Sequence, residues 1–409
     1  MHKALEGIRV CDFTGQLAGA GATRWLAAFG AEVIRVEDPV QAGRWDILRG
    51  MQPFKDERRG IDMGGAFNNH NVGKLGITLN LRTERAKDIL RELISVSDAV
   101  TENFAYGVLD RWGFGYEALR EIKPDIVYVS NCGFGHSGPY RHFKTWGPIV
   151  QAVSGLTFSS GLKGQPPAGW GYSYMDHTGA YYMAMAIMLA LIHRNKTGEG
   201  QWVDLACAES ALSLNGPALL DWTVNGRPLR TETGVNSNRS QYLPMAPHGI
   251  YPASGEDNWI AISCRQNNDW SRLAGLIGEP WARNFEELET RLELQGELDV
   301  KLGEWTRLQD KLSLQDMLRE LQLPVAVVQK PQERIDHDVT TAAFGLWPEV
   351  QHNAIGTVRV DGLPVHLSET DWQFDKAGPC LGEHNEKVLT EILGMKSVEV
   401  AQLVEEGII

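Results

Sequence analysis

Apolar and polar positions switch between two periods along the first 130 residues. Residues 7–13 form a short β-rich run, residues 19–29 are small and apolar at helical spacing, and residues 31–36 form a second β-rich run. A strand, a helix and a strand in such close succession predict a crossover unit with two parallel strands. The pattern recurs with strands at 76–81, 99–102 and 126–131 and helices at 84–96 and 116–122. The fold class it predicts is α/β with a doubly wound, Rossmann-like sheet. Further on, residues 178–194 predict a strongly apolar helix capped by Thr178, a glycine-rich turn runs from Lys196 to Gln201, and a strand at 202–205 precedes a helix from Glu209 toward Trp222.

Residues 44–71 break the alternation: they are polar, aperiodic and longer than the usual connection in a compact domain. Their composition predicts a lid over residues 44–65, with Gly43, Gly50, Gly60, Gly64 and Gly65 as hinges and Trp45, Met51 and Phe54 as cover. After Asn225 the chain turns irregular as far as Pro252, then offers a strand at 259–263 and charged amphipathic helices to Leu321. The organisation read from these shifts is a large α/β domain over 1–225, a smaller α+β domain over 226–330, and a C-terminal return to the large domain over 331–409. The return carries a strand at 357–360 and a final helix at 385–393.

Composition narrows the function classes. The chain has 409 residues, 43% hydrophobic and 22% charged, and a net charge of -13. That is a globular composition whose acidic surface repels phosphate backbones, which argues against nucleic-acid partners while leaving room for a local basic pocket. The five cysteines, Cys11, Cys132, Cys207, Cys264 and Cys380, form no CxxC pair and read as reduced core thiols of a cytoplasmic protein. The most apolar stretch, 181–192, is shorter than the roughly 20 residues a membrane span requires.

Three motifs bear on chemistry. Gly19 and Gly21 after a strand, with Glu37 ending the next one, imitate a dinucleotide fingerprint, but Arg24 stands where its third glycine belongs, so close helix packing explains the small residues as well as a nicotinamide cofactor does. The histidines, among them His136, His142 and His177 in loops, lack metal-ligand spacing, and no metal site is read. Asp176 precedes the apolar helix at the positive end of its dipole, where it either caps the helix or serves as an ionised nucleophile toward a carbonyl.

The residues around Asp176 resemble a known family. The run Asp176 to Gly179, followed by the helix and by His193 to Gln201, is similar to the core signature of the class III coenzyme A transferases. Other blocks agree in order: Leu5 to Val10, Phe29 to Glu37, Glu102 to Phe104 with Gly107 and Arg111 to Gly113, Gly133 to Gly135, Gly138 to Tyr140, Gln151 and Ala152 with Ser154 and Gly155, Leu381 to His384, and Glu406 to Ile409. The resemblance implies an interlocked dimer, a homodimer or a heterodimer with a paralogous subunit, whose large domain is built from both chain ends. It implies transfer of CoA from an acyl-CoA donor to a carboxylic acid, with CoA as substrate, no permanent cofactor, and Asp176 as the carboxylate that forms first a mixed anhydride and then a thioester.

The resemblance also assigns the CoA contacts. Gln16 and Leu17 fall beside the nucleophile, where the family often has Gln at the position of Leu17. Leu79, Asn80 and Arg82 lie on the adenosine strand, with Asn80 in place of the usual Asp. Asn103, Phe104 and Arg111 fall at the cofactor cleft, and Lys74 and Lys144 at basic positions near the phosphates. Asp38 stands where some members place a phosphate-binding Arg, and the family's glycine lid is not found between Gly234 and Gly255. The racemase branch of the same fold needs a His–Asp pair of bases where this chain has Trp146 and Gly147, so racemisation is the weaker alternative, followed by NAD-dependent oxidoreduction.

Overall fold

A computed structural model of the chain describes residues 3–162, 164–228, 238–240 and 243–409. The stretch 234–255, where the family's glycine lid is not found, therefore lies partly outside the described residues. The alternating pattern becomes a six-stranded, wholly parallel sheet. Its strands are β1 (Arg9–Asp12), β2 (Glu32–Glu37), β3 (Leu75–Thr78), β4 (Ala99–Glu102), β5 (Val127–Cys132) and β6 (Trp202–Ala206), in the order β3-β2-β1-β4-β5-β6. The order reverses between β1 and β4, and ligands of such sheets bind beyond the carboxyl ends of the strands at this switch point.

Helices cover both faces. On one face α1 (Ala18–Ala28) packs with α7 (Tyr174–Thr197) in a cluster that includes Ala22, Leu26, Ala180, Met183 and Ile187. The small residues near the start of α1 have a structural purpose: a methyl group on Gly21 would lie 3.2 Å from Cβ of Ala180, and one on Gly19 would lie 2.6 Å from the Asn103 side chain. The dinucleotide reading loses its acid as well, because Glu37 is buried and its carboxylate accepts from Arg49 Nε at 2.8 Å. On the opposite face α3 (Glu84–Ser95), capped by the Thr83 hydroxyl, buries Ile89, Leu90 and Leu93 against a cluster joined by Val400 and Leu403 from the C-terminal helix Ser397–Glu405.

The chain divides into two compact units. One comprises residues 1–157, 169–219 and 340–409, and the other residues 158–168 and 220–339. The first unit draws on both ends of the chain: the Asn385 amide brackets Thr78 of β3, accepting from its N–H at 2.8 Å and donating to its hydroxyl at 2.8 Å. The second holds an antiparallel sheet of three strands, His248–Pro252, Trp259–Ser263 and Val325–Val328, over a core centred on Trp270 and Phe285.

Several local expectations are corrected. The apolar helix starts at Tyr174 after Ser173, four residues before the predicted cap, and the Thr178 hydroxyl instead donates to the Tyr174 carbonyl at 2.9 Å. The helix predicted from Glu209 is interrupted and becomes α8 (Cys207–Leu212), a 3-10 turn and α9 (Gly216–Asn225). The final helix at 385–393 is a short helical turn that widens into a π-turn at Val388–Ile392, and Ser397–Glu405 is an additional helix.

The lid expected over 44–65 is pinned along its first part, stays exposed over residues 55–60, and is followed by helix α2 (Gly65–Asn71). Asp46 is fully buried, accepts from Arg35 Nη2 at 2.7 Å and caps the 3-10 turn Ile47–Gly50. Arg49, also fully buried, holds Glu37 and donates to Asp62 at 3.0 Å. Buried charges of this kind resist movement, because separating them leaves an unpaired charge out of water.

The same network corrects the expectation for Lys74. Its ammonium is fully buried and donates to Asp12 and Asn71, both at 3.0 Å, so it balances an internal carboxylate and lines neither of the cavities described below. Lys74→Ala is expected to lower the stability of the protein by about 3–5 kcal/mol, since it strands Asp12 without its ammonium partner. Denaturant unfolding checks this, and a loss below about 1 kcal/mol would contradict the structural role.

Candidate active site

A cavity of about 320 Å³ opens beyond the carboxyl ends of β1, β4, β5 and β6. Its walls come from loops far apart in sequence: Gln16 and Ala18 after β1, Asn103 to Tyr106 after β4, Asn131 to Gly133 at the end of β5, Arg141 with Phe143 to Trp146, Asp176 of α7, and Cys207 after β6. A parallel sheet gathers these points because every strand ends on the same edge.

Asp176 lies in the first turn of α7, half-buried, with the Ser173 side chain hydrogen-bonded to its carboxylate. Two influences compete there. The helix N-terminus favours the ionised form, but burial disfavours it more strongly and pushes the carboxyl up to about 6. The group is thus an anion at neutral pH that is less stabilised than a solvated carboxylate. That combination suits a nucleophile that needs no general base. Its neighbour His177 lies on the helix, not in a loop as expected, with Nε2 3.1 Å from the Tyr172 hydroxyl. Burial lowers its basicity, and His70 beside it is pushed down to about 4 by burial. Neither imidazole lines the cavity.

Gln16 lines the cavity and Leu17 does not. Gln16 also has φ +54, a left-handed conformation that a non-glycine residue holds at a cost of about 1–3 kcal/mol. Asn103 clips the β1 and β4 loops together, accepting from the Gly15 N–H at 2.7 Å and donating to the Gly15 carbonyl at 3.0 Å. Phe104 is fixed by its own backbone, whose N–H donates to the buried Glu102 carboxylate at 2.6 Å. Glu102 also accepts from the Tyr128 hydroxyl at 3.0 Å, and burial pushes its carboxyl up to about 8.

A second cavity, about 390 Å³, lies beside the first, beyond the ends of β2 and β3, and Phe104 lines both. It is an apolar slot between rings: Trp45 lies 4.9 Å and Trp112 5.3 Å from the Phe104 ring by centroid. Leu79 and Arg82 line it, and Arg82 is paired with Asp38 at 3.0 Å. The predicted site residues thus fall into three sets. Asp176, Gln16, Asn103, Phe104 and Lys144 surround the first cavity, while Leu79, Arg82 and again Phe104 line the second. Leu17, Lys74, Asn80 and Arg111 line neither; the Asn80 amide donates to the Gly407 carbonyl at 3.2 Å, and Arg111 is exposed.

The sequence reading missed Asn131, Arg141, Tyr106 and Cys207 in the first cavity and Trp45 with Trp112 as the walls of the second. Asn131 is buried and accepts from the Cys207 thiol at 3.1 Å. Cys132 and Cys380 are half-buried and so differ from the core thiols expected. Among the described residues no group of acidic, histidine or cysteine side chains is arranged to hold a metal ion, and no helix is long and apolar enough to cross a membrane.

Comparison with known proteins agrees with this geometry. The profile of CoA-transferase family III matches residues 5–385. The chain belongs to CoA-transferase family III. It is 30% identical to the succinyl-CoA–D-citramalate CoA-transferase of Chloroflexus aurantiacus over 411 residues, covering 100% of this chain and 98% of the relative. It is 31% identical to a formyl-CoA:oxalate CoA-transferase of Rhodopseudomonas palustris over 430 residues, with 100% and 97% covered. Among solved structures, a CaiB/BaiF family protein from Brucella suis superposes with a TM-score of 0.84 at 26% identity, covering 96% of this chain and 100% of that one. The chain is accordingly a CoA-transferase of this family, and CoA thioesters are its substrates.

Proposed function

We propose that this family III enzyme moves CoA between two carboxylic acids by covalent catalysis at Asp176. The observation that carries the reading is a half-buried carboxylate, raised to about 6, on the wall of a cavity beyond the carboxyl ends of the sheet. Its oxygen attacks the carbonyl carbon of the donor thioester, the carbon–sulfur bond breaks, and the electron pair leaves on CoA thiolate. The thiolate then attacks the Asp176 carbonyl of the resulting anhydride, and the donor acid departs as a carboxylate. The acceptor carboxylate repeats both steps in reverse, so no net proton is taken up or released.

Each neighbour has a matching task. Gln16, which lines the same cavity, is assigned the role of donor to the oxyanion; such a donor typically contributes about 3 kcal/mol to the barrier. The apolar slot between Trp45, Phe104 and Trp112 suits the adenine of CoA, and Phe104 borders the route from that slot to Asp176. Racemisation is disfavoured because Trp146 and Gly147 offer no bases and the imidazoles nearest Asp176 do not line its cavity.

Isotope exchange tests the reading whichever acids the enzyme uses in the cell. A labelled free acid should enter the pool of its own CoA ester in the presence of enzyme alone, and the active ester should be found in a panel of acyl-CoA compounds by mass spectrometry. No exchange with any ester that the enzyme turns over would overturn it.

A further inference from the structure

The cavity at Asp176 holds more positive charge than attack on a thioester requires. Arg141 and Lys144 both line it, and Asp176 is the one carboxylate among the residues that do. Neither cation accounts for the behaviour of Asp176, which burial raises and the Ser173 hydrogen bond alone opposes. Lys144 is exposed, and water solvates its ammonium. Arg141 is in a different position.

The Arg141 side chain is half-buried and its guanidinium carbon lies 5.1 Å from the centre of the Tyr106 ring, another wall of the cavity. Its Nε is buried and has no hydrogen-bond partner, and among the described residues no carboxylate is paired with it. That nitrogen has lost water without gaining an acceptor, while the two Nη groups stay accessible and carry no carboxylate partner. A ligand anion in the cavity would meet the Nη groups, whose planar fork of donors fits a carboxylate with two parallel hydrogen bonds. The Tyr106 ring lies within cation–π range of that guanidinium.

We propose that Arg141 binds a second carboxylate of the acyl group, which makes dicarboxylic acids the substrate class of this enzyme. The proposal rests on the reading of Asp176 as the group that takes up the acyl chain. One carboxyl of the acid reacts at Asp176 while the other stays ionised, and Arg141 supplies its counter-charge. A monocarboxylic acid of the same length would leave the guanidinium unpaired. A site built to pair a polar group discriminates strongly against the analogue that lacks it. Arg141 is therefore a specificity-determining residue.

The test is self-exchange of labelled acid with its own CoA ester in matched pairs of equal chain length, succinate with butyrate and glutarate with pentanoate, for wild type, Arg141→Met and Arg141→Lys. In at least one pair the wild type should favour the dicarboxylate by about tenfold or more in kcat/KM, and Arg141→Met should abolish that preference, a change in the ratio of about tenfold or more. Arg141→Lys, which keeps the charge and loses the fork, should fall between them. Because the readout is a ratio within one protein, partial loss of folded enzyme does not imitate the result, and Arg141→Lys serves if the methionine variant does not fold. Equal losses for both members of every pair would assign Arg141 to the CoA phosphates and overturn the proposal, as would a wild type with no dicarboxylate preference. Failure of the Asp176 reading is distinct: wild type would then form no covalent adduct with any ester it turns over.

Discussion

Replacing Asp176 with alanine should lower CoA transfer by roughly 10⁴-fold or more, a barrier increase of about 5.5 kcal/mol, while the protein remains folded and binds CoA esters. The size of the effect follows from the chemistry. Without the carboxylate no anhydride forms, and a direct attack of the acceptor acid on the thioester would have to be catalysed by positioning alone. Asp176→Asn should be nearly as inactive, because an amide is a poor nucleophile of almost the same shape. Steady-state transfer assays read both, with the wild-type gene excluded as a source of contaminating enzyme. A variant within about tenfold of wild type would remove Asp176 from the mechanism.

The second large effect is a dependence on pH, and its sign is fixed by the raised carboxyl. Asp176 sits at about 6 against an ordinary value of 3.8, with burial as the main cause. Formation of the anhydride needs the ionised form, so the rate of the donor half-reaction should fall about tenfold per pH unit below 6 and level off above about 7. The same shift carries a stability consequence. A carboxyl raised in the folded state favours folding while protonated, and that contribution is lost as pH rises from 3.8 through about 6. Asp176→Asn, which cannot ionise, should therefore be more stable than wild type at pH 8 by about 1–3 kcal/mol, and the difference should vanish near pH 4. Paired denaturation curves at the two pH values check this; a variant less stable than wild type at pH 8 would contradict the placement of the carboxylate.

Much of this fold is legible from periodicity, because each of the first five strands is followed by a polar or glycine turn and separated from the next by connections that cross one sheet. The N-terminus of α7 is less so. Thr178 is a capping residue type but so is Ser173, and the chain is helical from Tyr174, which places Asp176 inside the first turn. The site is legible where it follows a local motif, as with Asp176 and the run Asn103–Phe104. It is hidden where tertiary structure assembles it. Lys74 carries the residue type of a phosphate ligand, but Asp12, sixty-two positions away, draws its ammonium into the core. Arg141 belongs to a loop with no periodic signal, and its place on the cavity wall is set by tertiary structure, which no sequence pattern records.

The lid expectation is narrowed for a related reason, because the first part of the segment is pinned while residues 55–60 stay exposed. An aperiodic, glycine-containing stretch signals a long excursion, but the contacts of Arg35 and Glu37 with Asp46 and Arg49 decide whether it moves. Those contacts also hold Trp45 in the apolar slot: the Arg35 guanidinium lies 5.3 Å from its ring, and the ring faces Phe104. The charge network thus supports a wall of the slot proposed for adenine, although none of Arg35, Arg49 and Lys74 lines that cavity.

The central claim is that Asp176 carries the acyl group and then CoA. It is tested most directly by incubating wild-type enzyme with an acyl-CoA that supports turnover, in the absence of acceptor, trapping with hydroxylamine or borohydride, and mapping the modified peptide by mass spectrometry. The account predicts one modified residue, Asp176, in a yield that approaches one per active site. An unmodified Asp176 under an ester that turns over, or an adduct on a different residue, would contradict it.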